Sequence, residues 1–342
     1  MAPSVAEKCD SSLEASQEKD DLMNLVRGEG PWQRKILLVC IGIITPFACH
    51  NLAMTFFAPN LDYWCARPPN SNLTVEEWKE IGLPPNDRHC SRYALGNVAT
   101  GNSFNISRKN ETVACDSWEY DDSFYKSTVL GEWNLVCDRE WFISLSKSIF
   151  IAGYMFSVTV FGYIADKFGR RIAIVICNAI AVISAVTCAF STSFLMFAVS
   201  RFFIAVGSAG ALNTAFVLVM EVIGPDYRSL YGIGSNASWI LGYMLLPGTA
   251  LLLRDWFWVQ LAITIPSIAF LSSWWLLPES PRWLVTHGNT VAAMQVLSKS
   301  AKSNGIDFED IKPLLQDIIS KTSKVKTRCM KRKILTQMCS SY

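Results

Sequence analysis

Six apolar segments, each long enough to cross a membrane, alternate with polar connections along the chain. A hydrocarbon core about 30 Å thick requires about 20 apolar residues in a helix. The apolar segments lie roughly at 36–58, 142–165, 172–190, 194–222, 230–253 and 256–277. This pattern predicts an all-α membrane protein with six transmembrane helices.

The polar stretches divide the chain into predicted regions. The first thirty residues are polar and acidic, which argues against a cleaved signal peptide and favours a true first span. After the sixth segment, amphipathic patterns predict short helices at 290–302 and 307–321, followed by a basic run. The predicted regions are an N-terminal segment at 1–35, the first transmembrane helix at 36–59, a long loop at 60–141, transmembrane helices two to six at 142–277, and a helical tail at 278–342.

The composition supports a membrane protein and excludes several other classes. Apolar residues make up 51% of the chain, charged residues only 18%, and the mean hydropathy is +0.24. Soluble domains carry about 25% charged residues. A net charge of +2 is too small to indicate a nucleic-acid partner. The three histidines are far apart and no nucleophile–base arrangement is visible, so we expect no metal site, no cofactor and no enzymatic activity.

The distribution of Lys and Arg predicts the orientation of the spans. Positive residues concentrate in connections on the cytoplasmic side of a membrane. The connection at 191–193, between the third and fourth spans, carries no charge. Both termini should therefore be cytoplasmic and the loop at 60–141 extracellular. The cationic positions on the predicted cytoplasmic side are Arg34, Lys35, Lys167, Arg170, Arg171, Arg228 and Arg282.

The long loop has the chemistry of an extracellular segment. It contains an even number of cysteines, which is typical of disulfide bonding in an oxidising compartment. Parity alone allows three pairings of the four cysteines. The four cysteines are Cys65, Cys90, Cys115 and Cys137, and the loop also contains three glycosylation sequons, which begin at Asn72, Asn105 and Asn110. A fourth sequon, at Asn236, lies inside an apolar span and should carry no glycan.

Residues 162–171 read Gly-Tyr-Ile-Ala-Asp-Lys-Phe-Gly-Arg-Arg between the second and third spans. Gly169 allows the two helices to meet in a tight turn without a crowding side chain. Asp166 could accept hydrogen bonds from a neighbouring helix N-terminus, and the three cations could face anionic lipid headgroups. A generic positive loop would explain the arginines but not this order. Gly162, Asp166, Lys167, Gly169, Arg170 and Arg171 together resemble the signature loop of the major facilitator superfamily.

Further charged residues gather at the cytoplasmic ends of several spans. Ser280 and Pro281 predict a helix start after the sixth span. We interpret the charges as an ion-pair cluster that holds an inner gate closed. The alternative is solvated interfacial charge worth about 0–1 kcal/mol per pair. The cluster comprises Asp166, Glu221, Arg228, Glu279 and Arg282.

Arg201 stands within the apolar fourth span. An arginine there costs about 2.5–3.5 kcal/mol on insertion scales, so it should face protein or a water-filled cavity. Two interpretations stay open at this point. Arg201 could contact an anionic substrate group, or it could be a buried anchor bonded to backbone carbonyls.

Three further runs resemble the organic cation, anion and zwitterion transporters, solute carrier family 22. They are Ser-Thr-Val-Leu-Gly-Glu-Trp-Asn-Leu-Val-Cys-Asp at 127–138, Tyr-Met-Leu-Leu-Pro at 243–247, and Pro-Glu-Ser-Pro-Arg-Trp-Leu at 278–284. The resemblance covers about 32–284. It implies the N-terminal, six-helix lobe of a major facilitator fold, with a seventh span expected after the tail. It also implies the disulfide pairs Cys65–Cys115 and Cys90–Cys137.

The resemblance implies transport of small organic ions across the plasma membrane by alternating access, with a second lobe as partner. The substrate cavity would be lined by spans one, two, four and five. Its candidate residues here are Asn51, Arg201 and Asn236. The adjacent His50 and Asn51 resemble the anion branch, whereas a polar Asn236 resembles the cation branch, so the sign of the substrate's charge stays open. The alternative function is a non-transporting fragment or a regulatory partner of a full-length transporter.

The sequons provide a test of the predicted topology. We expect Asn72, Asn105 and Asn110 to carry glycans and Asn236 to carry none, because only the first three lie in the predicted external loop. Enzymatic deglycosylation of the chain from mammalian cells should lower its apparent mass in a gel. An unchanged mass for protein confirmed in the secretory pathway would contradict the topology.

Overall fold

The computed structural model describes residues 23–68, 71, 73–94 and 111–319. The predicted glycosylation sites Asn72, Asn105 and Asn110 lie outside these residues, as does the basic run after residue 319. Their assignments stay predictions.

Within this part of the chain, six helical segments are long and apolar enough to cross a membrane, which confirms the predicted six-span fold. The first begins at Pro31 rather than Ile36, because a proline is favourable in the first helical turn, where no backbone donor is needed. The second continues past Ala165 to Phe168. In chain order the spans are Pro31–Leu52, Cys137–Phe168, Arg170–Ala189, Phe194–Val222, Pro225–Leu253 and Trp256–Leu276.

The two ends of this bundle carry different structures. The described residues between 60 and 140, which we call the cap, cover one end, and the run 162–171 and the tail from 278 to 319 lie at the other, the signature end. The fourth span runs through the centre and is the most deeply buried. Gly207 and Gly210 let the third span approach it closely around Cys177.

The first span packs against the fifth through another glycine. A Cβ on Gly242 would lie 2.6 Å from the Cβ of Ala48, so only glycine permits this spacing. The thiol of Cys49 donates to the Gly242 carbonyl at 3.3 Å. The fifth span is interrupted at Asn236, between the helices Arg228–Ser235 and Ala237–Leu253. The sixth span comprises Trp256–Ala269, a 3₁₀ turn at Phe270–Ser272, and Ser273–Leu276.

The cap is a small disulfide-bonded unit with its own core. Strand β1 (Tyr63–Cys65) pairs antiparallel with β4 (Trp118–Tyr120), and β2 (Ser91–Tyr93) pairs antiparallel with β3 (Thr112–Ala114). Disulfides join Cys65 to Cys115 and Cys90 to Cys137, the pairing that the family resemblance implied. The core forms around buried Trp78, whose indole N–H donates to the Cys65 carbonyl at 2.8 Å. The cap's short helices are Val75–Ile81, Val129–Trp133 and the 3₁₀ turn Cys137–Arg139, and a one-turn helix, Met54–Phe57, follows the first span.

The cap is fastened to the connection between the fifth and sixth spans. The Trp256 indole donates to the Glu132 carboxylate at 2.7 Å, and the Lys126 amide donates to the Arg254 carbonyl at 2.8 Å. The ring of Trp256 also packs edge-on against Phe197 of the fourth span. These contacts make the cap continuous with the bundle.

The tail forms the helices Pro281–Thr286, Thr290–Ser303 and 308–319 at the signature end. The first starts as predicted, with the Ser280 hydroxyl accepting from the Trp283 amide at 3.2 Å. Leu297, Ala301 and Leu315 of the tail are fully buried in the same cluster as Met23 and Val26, which precede the first span. The tail and the N-terminal segment therefore pack together.

Two glycines in the spans should respond differently to the same small substitution. We expect Gly207→Ala to destabilise the bundle by roughly 1–3 kcal/mol, because its Cβ would lie 2.5 Å from the Cys177 carbonyl oxygen and 2.6 Å from the Ala181 amide. Gly162→Ala is the matched control, since a Cβ there meets none of the described residues within 4 Å. Thermal unfolding of the detergent-solubilised proteins measures the difference. Equal melting temperatures for the two variants would contradict the close helix approach.

Candidate functional site

Arg170 lies at the centre of the charged cluster at the signature end and is only 8% exposed. Its guanidinium donates to both carboxylate oxygens of Glu221, at 3.1 and 2.9 Å, and to the Ala165 carbonyl at 2.8 Å. A contact of 2.9 Å to Asp166 completes its surroundings. The prediction that Arg170 faces lipid headgroups was therefore wrong: two carboxylates and a carbonyl hold its planar donor fork inside the protein.

Glu279 provides the helix cap that the sequence analysis assigned to Asp166. Its carboxylate accepts from the backbone amides of Arg170, at 2.8 Å, and Arg171, at 3.2 Å, which open the third span. It also accepts from the Ser280 amide at 3.0 Å. A carboxylate is favourable there because helix N-termini present unpaired N–H groups and positive potential. Burial nevertheless dominates and raises the pKa of Glu279, while the amide hydrogen bonds oppose that rise.

Gly169 is required by this cap as well as by the turn. Its φ of +105° lies in the region that favours glycine, and a Cβ would collide with the Glu279 carboxylate. A side chain at residue 169 would therefore be crowded, as predicted, but by the Glu279 carboxylate rather than by the adjoining helix. A Cβ on Gly162, another residue of the signature motif, would meet none of the described residues within 4 Å. Lys167 of the same motif is exposed, and its ammonium lies 5.3 Å from the centre of the Phe168 ring.

Two tryptophans bind the same loop, one from the end of the sixth span and one from the tail helix that follows it. The Arg171 guanidinium lies 4.2 Å from the centre of the Trp274 ring and donates to the Trp274 carbonyl. The Trp283 indole donates to the Asp166 carbonyl at 2.8 Å. Two further predicted cluster residues lie at this end, Arg228 at the start of Arg228–Ser235 and Arg282 within Pro281–Thr286. The predicted charges thus share one end of the bundle, with Arg170 as the hub that the sequence analysis missed.

Arg201 has the contacts of a buried anchor. It is 1% exposed, and its guanidinium donates to the His50 backbone carbonyl at 2.9 Å. The guanidinium carbon also lies 4.4 Å from the centre of the Phe150 ring. His50 belongs to the last turn of the first span, where unpaired carbonyls and negative potential favour a cation. Arg201 therefore caps the first span, and in this lobe it lines no open surface, unlike the other two cavity candidates.

Asn51 and Asn236 are both exposed, Asn51 near the end of the first span and Asn236 within the fifth. Asn236 stands at the break in the fifth span and donates from its amide to the Gly232 carbonyl at 3.1 Å. Trp239 and Tyr243 follow at helical spacing, with their rings 5.6 Å apart in an edge-on arrangement. We call Asn51, Asn236, Trp239 and Tyr243 the candidate substrate face. The aromatic half of this face was not predicted, although Trp239 and Tyr243 stand four residues apart in the sequence.

The part of the chain that the structure describes contains no group of three His, Cys, Asp or Glu side chains that could hold a metal ion. The candidate site consists of two features, the charged cluster and the substrate face.

Comparison with known proteins identifies the architecture. The model of the sugar (and other) transporter family matches residues 93–340. The organic cation transporter protein of Drosophila melanogaster is 32% identical over 312 residues, which cover 89% of this chain and 56% of that protein. Solute carrier family 22 member 3 of Rattus norvegicus is 34% identical over 300 residues, covering 81% and 54%. The resemblance to solute carrier family 22 is confirmed, and the chain spans about half the length of these relatives.

Solved structures agree on the fold. The proton:xylose symporter XylE of the major facilitator superfamily superposes with a TM-score of 0.52 at 15% identity, covering 86% of this chain and 54% of the symporter. The partially occluded, inward-open XylE from E. coli gives a TM-score of 0.53 at 16% identity, covering 90% and 62%. These matches confirm a lobe of the facilitator fold.

The charged cluster predicts unequal roles for two carboxylates that contact the same arginine. We expect Glu221→Gln to lower stability by about 1.5–3 kcal/mol, because it removes a charge-assisted bond from buried Arg170. Asp166→Asn should cost less than about 1 kcal/mol, because that carboxylate is 74% exposed. Melting temperatures of the purified variants test this order, and a larger loss for Asp166→Asn would refute it.

Proposed function

Because the chain belongs to the sugar (and other) transporter family of the major facilitator superfamily, we propose that it forms the first lobe of a plasma-membrane transporter of small organic ions. In this fold a substrate binds near the bilayer midplane between two lobes, and access alternates as one lobe rocks against the other. The facilitator fold and the similarity to organic cation transporters support this function.

We propose that the cap faces the cell exterior and that both termini are cytoplasmic. The connections at the signature end carry Lys167, Arg170 and Arg171, in agreement with the excess of positive charge on cytoplasmic sides. The two disulfides of the cap suit an oxidising compartment. The three sequons of the same loop favour this orientation too.

The substrate proposed is an organic cation, and the observation that carries this proposal is the aromatic pair of the substrate face. Trp239 and Tyr243 lie on a lining span beside a neutral amide, and the faces of such rings attract weakly hydrated cations. Of the pair that resembled the anion branch, only Asn51 is exposed, because His50 is 1% exposed and lies away from the lobe's surface. Arg201, the cation that an anion would require, is equally buried.

The charged cluster is proposed as the inner gate. Through Arg170 and Glu279, its bonds connect the second, third and fourth spans to the segment that follows the sixth span at the signature end. Opening that end requires these bonds to break or rearrange, so their strength sets the balance between inward- and outward-facing states. Asp166 and Lys167 are exposed at the same end, and Arg228 and Arg282 are partly exposed there.

One lobe supplies one wall of a cavity, so we propose a second lobe as partner. Without it, Asn51 and Asn236 would face lipid, where polar groups are costly. Whether this chain acts through such a partner or only regulates a full-length transporter can be decided by uptake measurements.

We expect saturable uptake of a labelled quaternary ammonium ion when the chain is co-expressed with the second half of the Drosophila relative, and none from the chain alone. In the active pair, Trp239→Leu should raise the KM roughly three- to tenfold, because it removes a cation–π contact.

Trp258→Leu serves as the matched control, since this tryptophan is 56% exposed on the sixth span, away from the proposed cavity. Its KM should equal that of the unmodified pair. A labelled organic anion should not be taken up. Saturable uptake by the chain alone would reject the two-lobe requirement, and an unchanged KM for Trp239→Leu would reject the cation face.

A further inference from the structure

The segment just before the first span is packed into the signature end. Met23 and Val26 have no exposed surface and lie in the cluster formed with Leu297 and Leu315 of the tail helices. We call residues 23–30 the strap. Because its apolar side chains face the tail, the strap and the tail can separate only if both expose buried surface.

Asn304 fastens this packing. It ends the helix Thr290–Ser303 and is 5% exposed. Its amide nitrogen donates to the Val26 carbonyl at 2.9 Å and to the Gln33 side-chain oxygen at 3.0 Å, and its amide oxygen accepts from the Trp32 amide at 3.2 Å. Here both donors and the acceptor are used inside the protein by residues more than 270 positions away in sequence.

The partners of Asn304 are held in turn. Gln33 is fully buried and donates from its own amide to the Arg27 carbonyl at 3.0 Å. Gly30 lies against the Asn304 amide, where a Cβ would collide with it. The contacts around Asn304 therefore require a side chain that donates two hydrogen bonds and accepts one. They also leave no room for a side chain at residue 30.

The strap also contacts the entrance of the fifth span. The Gly224 amide donates to the Gly28 carbonyl at 2.9 Å, and a Cβ on Gly28 would lie 3.0 Å from the Gly224 Cα. Pro225 follows immediately and starts the fifth span. The first span starts at Pro31, directly after the strap. The strap thus joins the ends of two spans that the proposed function assigns to the cavity wall.

We propose that Asn304 is a positioning residue of the transport cycle: its clasp on the strap keeps the first and fifth spans together at the signature end. This function rests on the proposed cavity, but the clasp itself can be tested without transport. The chemistry predicts that the clasp needs two donors and one acceptor at residue 304. A carboxylate of the same shape keeps the acceptor and, when ionised, has no donor.

The test is hydrogen–deuterium exchange of the full 342-residue chain in lipid nanodiscs. At pH 8, Asn304→Asp should speed the exchange of peptides covering 24–34 and 222–231 by about tenfold or more, because the ionised carboxyl faces the oxygens of Val26 and Gln33. At pH 5 the difference from the wild-type chain at the same pH should shrink, since a buried carboxyl binds a proton readily and regains one donor. A merely structural loss of packing would show no such dependence on pH.

Two further variants keep the test decisive. Asn289→Asp, at the other end of the same helix, should change neither peptide, because within the described residues the Asn289 side chain acts only as an acceptor, towards the Ala292 amide at 3.2 Å. Gly30→Ala should speed exchange in the same two peptides at both pH values, because it opens the clasp by collision rather than by charge. Wild-type exchange in both peptides for Asn304→Asp and Gly30→Ala, or equal acceleration across all six spans, would overturn the proposal. Because no uptake is measured, this result is independent of the proposed substrate.

Discussion

Polar groups removed from water must find partners within the protein, and this constraint explains most of the specific contacts in the lobe. The constraint is strongest for Arg201, because a guanidinium buried inside an apolar span cannot form hydrogen bonds with water. It is accommodated by the carbonyl end of the first span and by an aromatic ring. Glu279 is the converse case: its carboxylate accepts hydrogen bonds from backbone amides at the start of the third span, which have no partner within their own helix. In both cases a helix end is the partner.

Close helix packing is the second requirement, and at two crossings of the spans it depends on a glycine. Gly207 brings the fourth span against the third, and Gly242 brings the fifth against the first. Hydrocarbon lipid provides no hydrophobic drive between spans, so association relies on contact and on hydrogen bonds that short distances allow. The bond from the Cys49 thiol to the Gly242 carbonyl exists only because the glycine permits that approach.

The number of spans, the fold and the grouping of charges at one end could all be predicted, because they follow from long apolar runs and from local motifs. Partners of individual charges could not. Asp166 and Glu279 are equally plausible helix caps in sequence, and only the position of the segment after the sixth span selects Glu279. Arg170 looked like a surface cation because the carboxylates around it come from separate spans. The role of Asn304 was invisible for a similar reason, since its partners precede the first span.

The disulfides of the cap interleave: the bridge from Cys65 closes at Cys115, after Cys90 has opened the second bridge, which closes at Cys137. Cys137 is also the first residue of the second span. During synthesis, with the cap outside, the last bridge can therefore form only when the whole loop has been translocated and the second span is next to enter the membrane. In the proposed orientation, oxidation of the cap therefore marks the point at which the whole loop between the first two spans has crossed the membrane.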